Sequence, residues 1–422
     1  MAARRRIRGT LSLLAAGTVL LTAGCTGGED EAGAGTTLRW FAQIQPGGTI
    51  EEVANRCSEE SGGRYSIDLE LLPTISDQAR EQIVRRLGAE DSTVDLILMD
   101  VIWTAEFANA GWLLPYEGEL AQQVTENVFD PVIETASFEG EVYGAPLNSN
   151  TQLLWYRTDE VQEAPTTWED MIADAEEIGG FVQVQANRYE GYTVWVNTMI
   201  QSAGTEILAG PTEVDLEQGP TEEALALIGQ LASSPAAAPD IDTSTEDSAR
   251  LGFEAGTSPF MLNYTFAFAS AGENAPDIAE NMGAAKLPQV VPGQESRPPL
   301  GGFNVGVSAF SENPDLAFEA ATCLSNAESQ LTATELDGLP PSRSDLYSEK
   351  VVQDAYPDFA DDIRRSIASA APRPLTPAYT DLSLAIQRAL HAPEKIDPAD
   401  PGPVYDELRE KVEEAVKREG LL

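Results

Sequence analysis

Two separated blocks of this chain alternate short apolar strands with amphipathic helices, and that alternation limits the fold more than any other feature. In the first block, residues 38–42, 66–72 and 94–99 read as strands, and 49–61 and 78–87 as helices. In the second, strands at 152–156 and 181–184 flank a helix at 168–178. Strand and helix in turn predict an α/β fold, with a mostly parallel sheet covered on both faces. The segment between the blocks, 144–150, has neither period and is expected to be a crossing. Further on come a turn-rich stretch at 210–220, helices at 221–232 and 246–255, and a strand at 259–262. A loop at 288–299, a strand at 303–307 and a helix at 314–324 precede a mainly helical remainder ending at 404–419. The 422 residues suffice for about two domains.

Charge narrows the partners. Twenty-six basic residues face 69 acidic ones, a net charge of −43. Binding to nucleic acid needs a basic surface, so that class is excluded, and docking on anionic lipid by charge alone is disfavoured. The single histidine, His391, ends a helix stopped by Pro393, where a cation suits the helix C-terminus. A zinc site would have to be built from carboxylates and scarce thiols, so no metal and no cofactor are expected.

The N-terminus reads as an export signal. Arg4, Arg5, Arg6 and Arg8 precede an apolar run at 11–21, which is too short to span a bilayer, and then Thr22, Ala23, Gly24 and Cys25. Cys25 after small residues resembles the acylated cysteine of bacterial lipoproteins, with Thr22 where leucine is usual. Residues 1–24 are therefore expected to be removed, and 25–36 to be a lipidated cysteine and flexible tether on the outer face of the cell membrane. Cys57 and Cys323 remain. In an oxidising exterior an even remainder predicts a disulfide; the alternative is two inert buried thiols.

No phosphate-binding loop, nucleophile elbow, zinc-protease motif or dinucleotide fingerprint occurs. Polar and aromatic residues at element ends remain: Asp100 after a strand, Asn150 at the crossing, Glu254 at a helix end, and Asn263 and Tyr264 after a strand. Arg373 lies between Pro372 and Pro374, Gly301 and Gly302 precede a strand, and Trp195 is divided between core and ligand wall. Trp40, Trp112, Trp155 and Trp168 are assigned to packing. Carboxylates, amides, an arginine fork and a ring suit the hydroxyls and C–H faces of an uncharged sugar. A rival uses Asp100 and Glu254 as the acid and nucleophile of a secreted glycosidase.

Segments 99–112, with Asp100, Trp103 and Trp112, and 145–156, with Asn148, Asn150 and Trp155, resemble the sugar-binding lipoproteins of ABC importers, the cluster that includes maltose-binding protein. Segments 184–187, 194–198 and 248–254 make the likeness greatest to the trehalose-recycling lipoproteins of mycobacteria. The resemblance runs from about residue 38 to the C-terminus. It implies a monomeric, two-lobed, type II periplasmic-binding-protein fold with a ligand cleft between the lobes, handing a disaccharide to a membrane permease. The first lobe would comprise 37–147 with 287–327, and the second 148–286 with 328–422, joined by crossings near 147–150, Lys286 and 327–332. The implied contacts are Asp100, Asn150, Glu254 and Arg373 to hydroxyls, with backbone approach at Gly301 or Gly302. Tyr264 stands for a larger ring, and Gln45 replaces an acid expected near Pro46. Trehalose is the first expectation, maltose-type glucosides the second.

Overall fold

The computed structural model describes residues 35–73 and 76–417. The expected signal, Cys25 and nearly all of the tether lie outside them. The first strand, β1 (Thr36–Gln43), sends Leu38, Trp40 and Ala42 to one face and Phe41 to the other, where each meets a separate buried cluster. A strand buried on both faces needs helices above and below it. β1 pairs in parallel with β2 (Tyr65–Leu72) and β3 (Leu96–Asp100). Short strands β4 (Leu113–Leu114), β5 (Ser137–Phe138) and β6 (Glu141–Val142) follow.

β7 (Ala145–Arg157) is the main departure from the sequence reading. The stretch expected to lack a period is its first half, which pairs antiparallel with β11 (residues 300–308, described below), while its second half pairs with strands of the other lobe. Asn148, Ser149, Thr151 and Gln152 are buried there although polar, so no apolar alternation marks the strand. Beyond the crossing, Leu153 and Trp155 face one core and Leu154 another. β8 (Val182–Gln183) and β9 (Phe260–Tyr264) pair in parallel, and β9 and β10 (Met282–Ala285) run antiparallel to β7.

β11 (Leu300–Ser308) returns to the first lobe between β3 and β7, antiparallel to both. The sheet order is β2-β1-β3-β11-β7-β9-β8, with β4 on β11 and β10 on β7. The sheet is therefore mixed where a mostly parallel one was expected, because the two strands that cross between lobes run against their neighbours.

The crossings also correct the expected lobe limits. Lys286 contacts Glu295 and Ser369, and Leu287 and Val290 lie in the core with Trp168, so the second crossing is β11 itself. Val128, Phe129 and Val132, placed in the first lobe by sequence, pack with Trp155, Tyr347 and Phe359 of the second. The third connection is the helix Ala327–Asp337, where Gln330 donates to the carbonyl oxygens of Pro146 at 3.1 Å and Ser325 at 3.0 Å.

Local signals set the helix ends. Thr167 caps the helix Trp168–Ile178, accepting from the Asp170 amide at 3.1 Å, and Gly179 ends it with φ 77°. Thr245 and Ser248 cap the helix Glu246–Glu254 reciprocally, an arrangement worth about 1 kcal/mol. Cys57 and Cys323 are bonded, with Cα atoms 5.9 Å apart, joining the helices Thr49–Glu60 and Pro314–Leu324 of the first lobe. Among the described residues no helix is long and apolar enough to cross a membrane.

Candidate functional site

β3 ends at Asp100, at the carboxyl edge of its sheet, where open α/β sheets present side chains to ligands. Its carboxylate accepts from Ser76 Oγ at 3.0 Å, the Ile102 amide at 3.3 Å and Arg373 Nη2 at 3.3 Å. The last of these bonds spans the two lobes. Arg373 is 8% exposed, and its other Nη donates to Glu190 Oε1 at 2.8 Å.

Glu190 opens the helix Glu190–Ser202, where a carboxylate is favoured by the helix dipole. It also accepts from the Tyr379 hydroxyl and, at 2.6 Å, from Ser383 Oγ. Burial pushes the Glu190 carboxyl above its ordinary value, while Arg373, Ser383 and Tyr379 pull it down. Burial works against the charge on Arg373, yet Tyr379, Asp100 and Glu190 outweigh it and hold the guanidinium well above its ordinary value. The result is a fixed cation with both terminal nitrogens engaged.

These groups line a cavity of about 550 Å³ between the lobes, within the usual range for small-molecule sites. The first lobe contributes Gln45, Ser76, Asp77 and Asp100; the second contributes Tyr189, Glu190, Val194, Glu246, Tyr264 and Arg373; the crossing strands contribute Asn148, Asn150, Gly301, Gly302 and Phe303. Asn150 Oδ1 accepts from the Thr151 amide at 3.0 Å, leaving its side-chain nitrogen to donate. Asn148 Oδ1 is buried without a bonded partner among the described residues. Gly302 has φ 132°, and a Cβ there would lie 2.3 Å from the Asn148 carbonyl oxygen, so only glycine fits. At Gly301 a Cβ would meet nothing nearer than 3.5 Å.

Of the residues picked from sequence, Gln45, Asp100, Asn150, Tyr264, Gly301, Gly302 and Arg373 thus surround one cavity, and three do not. Trp195 is 1% exposed and packs on Trp168 and Tyr192 in the second-lobe core. Asn263 is fully buried, and its side-chain nitrogen donates to the Glu246 carbonyl at 2.9 Å. Glu254 accepts from Arg250 at 2.7 Å and Ser270 at 2.8 Å, away from the cavity. All three satisfy local packing or bonding.

Their neighbours take the places expected of them. Glu246, at the start of the same helix as Glu254, accepts from the Tyr189 hydroxyl at 2.6 Å. Burial first, and Glu246 second, raise the Tyr189 phenol; the same two causes raise Tyr264, so both rings are neutral donors. Glu190 and Val194 are spaced i, i+4 on one helix face, whereas Trp195, about 100° further round, turns into the second-lobe core. That spacing is the signal sequence reading could have used.

Among the described residues no group of three His, Cys, Asp or Glu is placed to hold a metal ion. His391 caps the helix Tyr379–Leu390, its Nε2 3.0 Å from the Asp242 carbonyl oxygen, far from this chemistry.

Residues 52–360 match the family model described as bacterial extracellular solute-binding protein. A probable ABC transporter-binding protein of Deinococcus radiodurans is 27% identical over 347 residues, covering 78% of this chain and 81% of its own. Maltose-bound MalE3 of T. maritima superposes with a TM-score of 0.76 at 24% identity, over 91% of this chain and 99% of its own. The sugar-binding protein MalE of Xanthomonas citri gives a TM-score of 0.78 at 17% identity, over 91% and 98%.

Proposed function

Because this chain belongs to the bacterial extracellular solute-binding proteins and has their two-lobed type II fold, we propose that it captures an uncharged disaccharide and delivers it to an ABC permease. The observation carrying this reading is the cavity itself, in which carboxylates, amides, an arginine and two tyrosines converge from both lobes and the crossing strands. Each can exchange hydrogen bonds with sugar hydroxyls, and Tyr264 offers a ring face. A ligand lacking one hydroxyl leaves a buried partner unpaired, at about 1 to 3 kcal/mol. Trehalose is the first candidate, from the resemblance that segments 184–187, 194–198 and 248–254 add to that of 99–112 and 145–156. Maltose-type glucosides are the second, since a relative of the same fold is maltose-bound.

The family is one of solute binders rather than enzymes, and the glycosidase pairing of Asp100 with Glu254 has no shared cavity. Isothermal titration tests the sugar: a dissociation constant near micromolar, about −8 kcal/mol, is expected for trehalose. No heat and no thermal shift with trehalose or maltose would reject the assignment. The anchor is a separate proposal. Labelled palmitate should enter the wild type and not Cys25→Ala; equal labelling would reject lipidation at that residue.

A further inference from the structure

Gln45 reaches the cavity on the loop 44–48, between β1 and the helix Thr49–Glu60. Asp337, the last residue of the connecting helix Ala327–Asp337, holds that loop. Its carboxylate accepts from the Gly47 amide, from the Thr49 hydroxyl and, at 3.0 Å, from the Thr49 amide. Within the loop, the Gly48 amide donates to the Gln45 carbonyl at 3.0 Å. The loop is also pressed onto the connecting helix, because a Cβ at Gly47 would lie 2.0 Å from the Leu336 carbonyl oxygen.

The two residues that follow serve the other side of the cavity. The Gly338 carbonyl accepts from Thr265 Oγ1 at 3.4 Å, next to Tyr264, and Leu339 lines the cavity directly. One short segment is therefore bonded to a first-lobe loop and a second-lobe strand end while forming part of the wall.

We propose that Asp337 is a positioning residue for ligand recognition, fixing the Gln45 loop against the connecting helix so that Gln45 meets the ligand from a set place. This rests on the reading of the cavity as the ligand site. A side-chain carboxylate bonded to two amides and a hydroxyl removes the freedom of the segment between them, which Gln45 would otherwise lose on binding.

Amide hydrogen exchange in the ligand-free protein tests the holding. In Asp337→Ala, and equally in Gly47→Ala, the amides of Gly48 and Thr49 should exchange at least about tenfold faster, and the Gln45 side-chain amide resonance should shift. Unchanged exchange and resonance overturn the proposal whatever sugar binds. Titration with trehalose, or with maltose if only that gives heat, tests the positioning. Asp337→Ala and Gln45→Ala should each weaken binding about tenfold, and the double variant no more than either alone. Losses that multiply to about a hundredfold would make Asp337 merely structural and overturn the proposal. Absence of heat with both sugars rejects the sugar reading instead, and the exchange and resonance then decide.

Discussion

The two lobes bring carboxylates to the cavity by different routes. In the first, Asp100 stands at the end of β3, where a sheet stops and its last side chain has no further strand to serve. In the second, Glu190 and Glu246 sit in the opening turns of helices. An acid there already has a local reason to exist, in the dipole and the free amides of the helix start. A strand-end acid therefore advertises a ligand, and a helix-start acid hides one.

Four experiments would break or sharpen this contrast. The largest effect is expected from Arg373→Ala, which leaves Asp100 and Glu190 facing each other across the lobes without their shared cation. Loss of one partner in a buried ion pair costs about 3 to 5 kcal/mol, so denaturant unfolding should fall by that order; a loss below about 1 kcal/mol would mean the bridge does not tie the lobes. Next, replacing both Cys57 and Cys323 by serine should cost about 2 to 4 kcal/mol, with sugar affinity kept. Mass spectrometry of the unreduced wild type should show the two residues linked, and free thiols at both would remove the cross-link from the account.

The contrast itself is tested by Glu190→Gln and Glu246→Gln, each expected to weaken trehalose binding by about 1 to 3 kcal/mol, against Glu254→Gln, expected to change it less than about twofold. If Glu254→Gln is the damaging change, the helix-start assignment is wrong. The smallest effect concerns pH. Burial holds the Glu134 and Glu190 carboxyls above their ordinary value of 4.5, so the folded chain takes up those protons before the unfolded one. Stability should rise as pH falls through the window just above 4.5. Asp159, held below its ordinary 3.8 by the bond from Arg157, has the opposite sign and loses its contribution only below that value. Calorimetry showing a melting temperature that falls steadily from neutral pH to 4.5 would contradict this.

Much of the fold was legible in the sequence because β1, β2, β3 and the helices between them obey simple periods. The crossing strand β7 was not, since Asn148, Ser149 and Thr151 are buried at the cleft and carry no apolar alternation. The resemblance implied a second crossing near Lys286, whereas Leu287 and Val290 pack deep in the second lobe. In the site, Asp100, Arg373 and the paired glycines were visible through unusual settings: a strand end, two flanking prolines, a glycine pair before a strand. Trp195 and Glu254 misled for a common reason. Trp195 directly follows Val194, and Glu254 lies about two turns beyond Glu246; a sequence fixes spacing along a helix but not its rotation about its axis.

The middle of the first lobe's sheet is filled by β11, flanked by β3 on one side and β7 on the other. A ribosome must make some three hundred residues before that slot can be occupied. Until then β3 and β7, both made much earlier, have an open gap between them, so the lobe begun first cannot close before β11 has been made. For an exported chain, threaded through a membrane in order of synthesis, this keeps the first lobe's sheet open until residues 300–308 have followed the rest of it out.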